Sequence, residues 1–377
     1  MDLKQIDEFY RGIVRVLSFA ERLKKTPYRV DVIVNPVAGR IARHGTLHQD
    51  LGVVRAFVER LHRLREESGR LDEPLVEPSA ALHISESPGH AAAIAAGILE
   101  RIGRTGEDSP IRRNLVVSVG GDGTHEEVLS VIYGSSAAVL DRLEIFRVPM
   151  GTGNDSADAL EVAEACDILF QGADGKRIGA LRVKPRGLPA LYSFNIASIG
   201  IDAYITYLTN RLKSVIPGDV YKILADVATL FYNPRYRDEP MTIVARARSG
   251  EVETLRGRFI LVAVGVSGHR VYGGAKPVLP GEENLCAMSQ VGILRKLRLK
   301  EMFYAGTHVL QPETHMLNAR RITISYDGRI PLQVDGEAIW LEPANFPLEI
   351  EVLEPRIHVL THAGNPGQNP EAGQSKS

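Results

Sequence analysis

The run Val116-Val117-Ser118-Val119 stops abruptly at Gly120-Gly121-Asp122-Gly123-Thr124, and His125-Glu126-Glu127-Val128-Leu129 then opens a helical pattern. A β-branched apolar segment reads as a buried strand. Its break into glycines before a helix is how open α/β sheets present backbone N–H groups to phosphate. Gly120, Gly121 and Gly123 have no Cβ to hold an anion away from the main chain. Asp122 sits oddly in such a cradle unless it holds a metal or meets a hydroxyl proton. Taken alone, the string also fits a strand-to-helix turn with a capping aspartate.

Two further segments repeat the grammar. Val30-Asp31-Val32-Ile33-Val34 runs into Asn35-Pro36-Val37-Ala38-Gly39-Arg40, and Ile145-Phe146-Arg147-Val148 runs into Pro149-Met150-Gly151-Thr152-Gly153-Asn154-Asp155. Each is a short apolar strand, then glycine with small polar residues, then a helical segment. Exits of this kind at the C-terminal ends of parallel strands are where open α/β sheets bind ligands.

In this order the motifs resemble the catalytic domain of the diacylglycerol kinase family, which includes sphingosine and ceramide kinases and the bacterial soluble lipid kinases. The resemblance continues through Asn195-Ile196-Ala197-Ser198-Ile199-Gly200-Ile201-Asp202-Ala203, Tyr272-Gly273-Gly274, Gly306-Thr307-His308 and Asp335-Gly336-Glu337, so it spans roughly residues 29 to 353. Gly-Gly-Asp-Gly-Thr alone also occurs in NAD kinases. Its combination with Gly-Thr-Gly-Asn-Asp and a late Asp-Gly-Glu is much more specific to lipid kinases.

The resemblance implies phosphoryl transfer from ATP to a lipid hydroxyl, with a place in phospholipid metabolism. Such chemistry needs a phosphate cradle, a divalent cation and a positioned acceptor. The cradle is expected from Asn35, Pro36, Gly39 and Arg40, from Gly120, Gly121, Gly123, Thr124 and Glu127, and from Gly151, Thr152, Gly153 and Asn154. Ser85 stands where the family has a nucleotide-contacting threonine. Thr124 and Thr152 suit phosphate or ribose oxygens, and Arg40 suits a phosphate. Mg²⁺ favours one or two carboxylates with phosphate oxygens and water, which nominates Asp122, Asp155 and Glu127. The resemblance assigns the general base to Glu337 and sets Asn195 and Asp202 on the acceptor side. Read locally, Gln333-Val334-Asp335-Gly336-Glu337-Ala338 is a hairpin turn, and Asp122 is the rival base.

The chain departs from the family at several points. Ala38 replaces the usual serine of the first loop, and Glu126 replaces an asparagine after the second. No Asp-Gly follows Tyr272-Gly273-Gly274; Pro280-Gly281-Glu282-Glu283-Asn284-Leu285 intervenes.

With 377 residues the chain exceeds one compact core, so two domains are expected. Strand and helix alternate to about residue 165, which predicts a nucleotide-binding α/β domain with a parallel sheet over 29–165. Short strands with Gly-, Pro- and acid-bearing turns then predict an antiparallel β-sandwich over 166–362, the chain's end being free to return to the first domain. A helical interruption is expected from Tyr204 to Tyr232, with Pro217-Gly218 as a break and Asp219 as N-cap. Residues 1–28 carry an amphipathic helix, and 363–377 read as a disordered tail.

The net charge of −1 argues against a nucleic-acid partner. Cys166 and Cys286 lack metal-ligand spacing and read as reduced and structural. No apolar run approaches a spanning helix, so the expectation is a cytoplasmic protein with peripheral contact at the inner face of the membrane. Ile293-Leu294-Arg295-Lys296-Leu297-Arg298-Leu299-Lys300-Glu301-Met302-Phe303-Tyr304 mixes four cations with large apolar groups, as an interfacial helix would, or as a helix packing on the sandwich. A homodimer is admitted. The reading is an ATP- and Mg²⁺-dependent lipid kinase acting on diacylglycerol. The alternatives are a sphingoid or ceramide acceptor, an NAD kinase, and a non-catalytic lipid- or nucleotide-binding regulator.

Overall fold

In a computed structural model of the chain the described residues are 3–70, 74–105, 110–151, 158–212, 239–272 and 276–362. Thr152, Gly153, Asn154 and Asp155 lie outside them, as do Gly273-Gly274, the expected break at Pro217-Gly218 with its N-cap Asp219, and the tail from residue 363. The chain forms two compact units, one running to Ile178 and resuming at Arg356, the other Gly179–Pro355.

The first unit opens with α1 (Leu3–Ser18), whose Ile6, Phe9, Ile13, Val16 and Leu17 fall on one face and are all buried. That face packs against α3 (His44–Glu67), which follows the short α2 (Glu21–Lys25), and against α7 (Val162–Gln171), which follows the short α6 (Ala137–Leu140), so the N-terminal amphipathic helix spends its apolar stripe inside the protein. Between them β1 (Tyr28–Val34) pairs in parallel with β2 (Ser79–Ile84) and β3 (Arg113–Gly120), and β3 with β4 (Leu143–Pro149). These inner strands are almost wholly buried, which is why they read as continuous apolar runs and not as alternation. Helices α4 (His90–Arg104) and α5 (Asp122–Tyr133) pack on each other and on β1 and β3 respectively.

The sheet is completed from a distance. Strand Ile357–Thr361 lies parallel to β4, and β5 (Ala173–Ile178) closes antiparallel on it. The boundary expected after residue 165 therefore falls inside α7, and the unit extends to Ile178. The reason is topological: the stretch after α7 finds its partner near the chain's end, and no local pattern announces that pairing.

In the second unit two six-stranded antiparallel sheets form the expected sandwich. One runs Val252–Gly257, Met241–Arg246, Arg321–Tyr326, Leu348–Val352, Leu181–Lys184, Leu191–Ser193. The other runs Thr314–Leu317, Leu285–Ser289, Phe259–Gly265, Ile196–Gly200, Ile330–Val334, Glu337–Leu341. Alternation is clean in Arg321–Tyr326, where Ile322, Ile324 and Tyr326 enter the core that both sheets share. Gly200 ends its strand at φ +99°, and a Cβ there would lie 2.2 Å from the Ile260 carbonyl oxygen, so only glycine serves. The helix after it, α8 (Ile201–Leu212), covers the last two strands of the second sheet.

Candidate active site

The glycine loops of the first unit are stitched together by their own backbone. Asn35 N–H donates to Val119 O (2.9 Å), Met150 N–H to Gly120 O (3.0 Å) and Arg40 N–H to Met150 O (3.0 Å). The Asn35 amide donates to Thr124 Oγ1 at 2.8 Å, while its Oδ1 accepts from Val37 N–H at 3.0 Å and shapes the turn through Pro36. Ser85 continues the row, its N–H donating to Val34 O at 2.9 Å. The C-terminal ends of β1, β2, β3 and β4 thus meet in one layer.

Each glycine has its own reason. A Cβ on Gly120 would meet Thr124 Cβ and Oγ1 at 2.9 Å, and one on Gly121 would meet Gly151 Cα at 3.3 Å. Gly123 has nothing within 4 Å of the same position and faces open space. Gly121 is the N-cap of α5 and brings no side chain to its first turn. A helix start presented on an uncluttered glycine surface fits a phosphate chain.

Asp122, the first residue of α5, forms an ion pair with Arg147 Nη1 at 2.8 Å. Arg147 is 3% exposed and Asp122 30%, so a nearly buried guanidinium rests on a half-buried carboxylate. Beside this pair Ser118 Oγ lies 2.7 Å from His125 Nδ1. Burial, and secondarily the Arg147 charge, push His125 down to about 3, so the ring is neutral. No sequence pattern joins Arg147, His125 and Ser118; the one local signal is a lone arginine inside the otherwise apolar strand Ile145-Phe146-Arg147-Val148.

Two candidates have other partners. Arg40 donates from Nη2 (2.6 Å) and Nε (3.2 Å) to Asp50 on α3, because the buried Asp50 carboxylate requires a counter-charge. Glu127 Oε1 accepts from Gly89 N–H at 2.9 Å and so pins the turn that starts α4. Gly120, Gly121, Thr124 and Gly151 lie against one another where these strands end. Among the described residues no group of three or more His, Cys, Asp or Glu could hold a metal. Asp122, with phosphate oxygens and water, fits the sparse protein ligation that Mg²⁺ accepts.

In the second unit Asp335 and Gly336 take φ of 46° and 90° between the strands Ile330–Val334 and Glu337–Leu341, the hairpin turn read from sequence. Asp335 is buried. It accepts from Ser193 Oγ (2.7 Å), Asn195 N–H (3.1 Å), Ile196 N–H (2.9 Å) and Phe194 N–H. Desolvation dominates those bonds and raises its pKa above the usual carboxylate value. This Asp is therefore the anchor of the Asp-Gly-Glu motif, a role its sequence did not disclose. Glu337 stands exposed at the start of the next strand. Asn195 lies on the Asp335 nest, and its amide donates to Val271 O at 3.3 Å. Asp202 in the first turn of α8 accepts from Ser198 Oγ at 2.7 Å, and Gln333 in turn donates to Ser198 Oγ at 3.0 Å.

Comparison with known proteins points the same way for each part. Residues 29–177 match the diacylglycerol kinase catalytic domain, and residues 195–361 match the YegS C-terminal NAD kinase beta sandwich-like domain. A diacylglycerol kinase of Staphylococcus saprophyticus is 25% identical over 261 residues, 64% of this chain and 77% of that protein. A Stenotrophomonas maltophilia protein named "Probable lipid kinase YegS-like" is 28% identical over 265 residues, 67% of this chain and 80% of the relative. A solved diacylglycerol kinase from Bacillus anthracis shares the fold with a TM-score of 0.52 at 17% identity, over 89% of this chain and 97% of that one.

Proposed function

Because the chain belongs to the lipid kinase family that joins a diacylglycerol kinase catalytic domain to a YegS-type C-terminal domain, we propose that it phosphorylates diacylglycerol with ATP and Mg²⁺ to give phosphatidic acid. The observation that carries the reading is the open glycine surface at the start of α5, with Thr124 held by Asn35 beside it. Backbone N–H groups there would take the phosphate chain of ATP. When bound, Mg²⁺ supplies charge neutralisation on the phosphates, with Asp122 and Asp155 the carboxylates proposed to hold it.

Glu337 is the proposed general base. It takes the proton of the acceptor hydroxyl as that oxygen bonds to the γ-phosphorus, and ADP leaves with the electrons of the broken bond. Asp122 is the weaker candidate for that role, because its Oδ1 already accepts a charge-assisted bond from Arg147. Asn195 and Asp202 are proposed on the acceptor side, each held in orientation, the first by its amide's bond to Val271 O and the second by Ser198. We place the enzyme in the cytoplasm at the inner membrane face, where its acceptor resides.

The test is incubation with γ-labelled ATP, Mg²⁺, an extracted lipid mixture and NAD, followed by identification of the labelled product. Phosphatidic acid supports the proposal. Label on a sphingoid base, ceramide or NAD would replace diacylglycerol as acceptor, and no labelled product would remove the kinase reading.

A further inference from the structure

Helix Ile293–Ala305 begins at Gly292 and ends on Gly306 at φ +71°, followed by a 3-10 turn Thr307–Leu310. Its inner side is well defined: Leu299 is buried with Met302 and Phe303 against the second unit's smaller core, and Lys296 is buried as well. Its outer side is the unusual one. Leu294 is 76% exposed and Leu310 78%, and Ile293, Leu297 and Tyr304 are also exposed. At 100° per residue Ile293, Leu297 and Tyr304 share one stripe, with Leu294 flanking it. Single exposed leucines are ordinary, but several large apolar groups on one helix face, with a further exposed leucine in the turn that follows, are not.

The charges divide in an informative way. Arg295 is bound to Glu313 through Nε (2.8 Å) and Nη2 (3.0 Å), so it braces the helix. Together with the burial of Lys296 this withdraws two of the four cations counted in the sequence. Arg298, exposed, and Lys300, whose ammonium lies 5.9 Å from the Tyr304 ring, stay with the outward stripe; Glu301 is the one opposing charge on that stripe. Among the described residues no helix is long and apolar enough to cross a membrane.

We propose that this surface docks on an anionic phospholipid bilayer, Leu294 and Leu310 entering the acyl boundary while Arg298 and Lys300 meet headgroup phosphate. The proposal rests on the lipid-kinase reading, since an acceptor insoluble in water must be met at a surface. It fits a membrane better than a second copy of this chain, because leucines flanked by cations match an apolar layer bordered by phosphate.

The experiment is co-sedimentation of the full chain with vesicles of phosphatidylcholine containing phosphatidylglycerol, at rising salt. Leu294→Gln and Leu310→Gln should each weaken binding by about tenfold. Arg298→Gln with Lys300→Gln should weaken it and flatten its salt dependence, whereas Lys296→Gln should leave that dependence unchanged. Thermal unfolding of the leucine variants should match the parent, as exposed side chains require. Phosphorylation of a short-chain diacylglycerol dissolved below its micelle-forming concentration should also be kept. Failure of the parent on that soluble acceptor would strike the kinase reading, independently of vesicle binding. Equal vesicle binding by the leucine variants, no binding by the parent, or a dimer that falls to monomers on Leu294→Gln without vesicle binding would each overturn the docking surface.

Discussion

At the scale of single residues, the pair Asp122–Arg147 decides how the central motif can be probed. Asp122→Asn keeps size but leaves an arginine that is only 3% exposed without its carboxylate. The variant should lose turnover and also about 1–3 kcal/mol of stability, less than for a fully buried pair because Asp122 is partly solvated. Adding Arg147→Met should restore stability without restoring turnover. Denaturant melts and phosphotransfer at equal folded concentration check both; an unchanged midpoint in Asp122→Asn would contradict the pairing. His125 supplies a pH test. Its folded pKa is depressed from 6.5 to about 3, so the unfolded chain takes up a proton that the folded chain refuses. Its contribution to stability is full above pH 6.5 and falls as pH drops toward 3. The slope is at most about 1.4 kcal/mol per unit. His125→Leu should flatten acid unfolding over that window, and an unchanged slope would mean that the ring is not buried neutral.

At the scale of elements, the three loops act as one layer. Gly121→Val would drive a branched Cβ toward Gly151 Cα, 3.3 Å from the first added carbon, and should weaken ATP binding at least about tenfold, equivalent to roughly 1.4 kcal/mol. Asn35→Ala removes the bond that orients Thr124 and should cost about fivefold, near 1 kcal/mol. Calorimetric titration with ATP reads both, and unchanged affinity would place the cradle elsewhere. These loops were legible in the sequence because a strand exit, its glycines and the following helix are contiguous. The Asp335 nest was not: its donors Phe194 and Asn195 lie 141 and 140 residues upstream, and only folding brings three successive N–H groups onto one carboxylate. The same holds for Arg40, which reads as a phosphate ligand until Asp50 is seen beside it.

At the scale of the whole molecule, the chain's path makes the first unit depend on its last strand. Ile357–Thr361 lies between β4 and β5, so truncation after Pro355 removes an inner strand and leaves the edge of β4 unpaired. That truncation should unfold the first unit while the second, Gly179–Pro355, keeps its own sandwich. Protease-resistant fragments report this, and a first unit that survives truncation would contradict the topology. The fold classes of both parts were readable from strand spacing. A return of the chain's end to the first domain is allowed for by the sequence reading, but the pairing of Ile357–Thr361 with β4 and β5 left no local pattern to read. The central claim, a kinase that uses Glu337 to activate a lipid hydroxyl, is tested most directly by comparing Glu337→Gln with the parent chain. The measurement is transfer of labelled γ-phosphate to diacylglycerol, with ATP affinity taken in parallel. The account predicts labelled phosphatidic acid from the parent and a loss of at least about 10²-fold in the variant, with ATP affinity unchanged. Parental turnover in Glu337→Gln would contradict it.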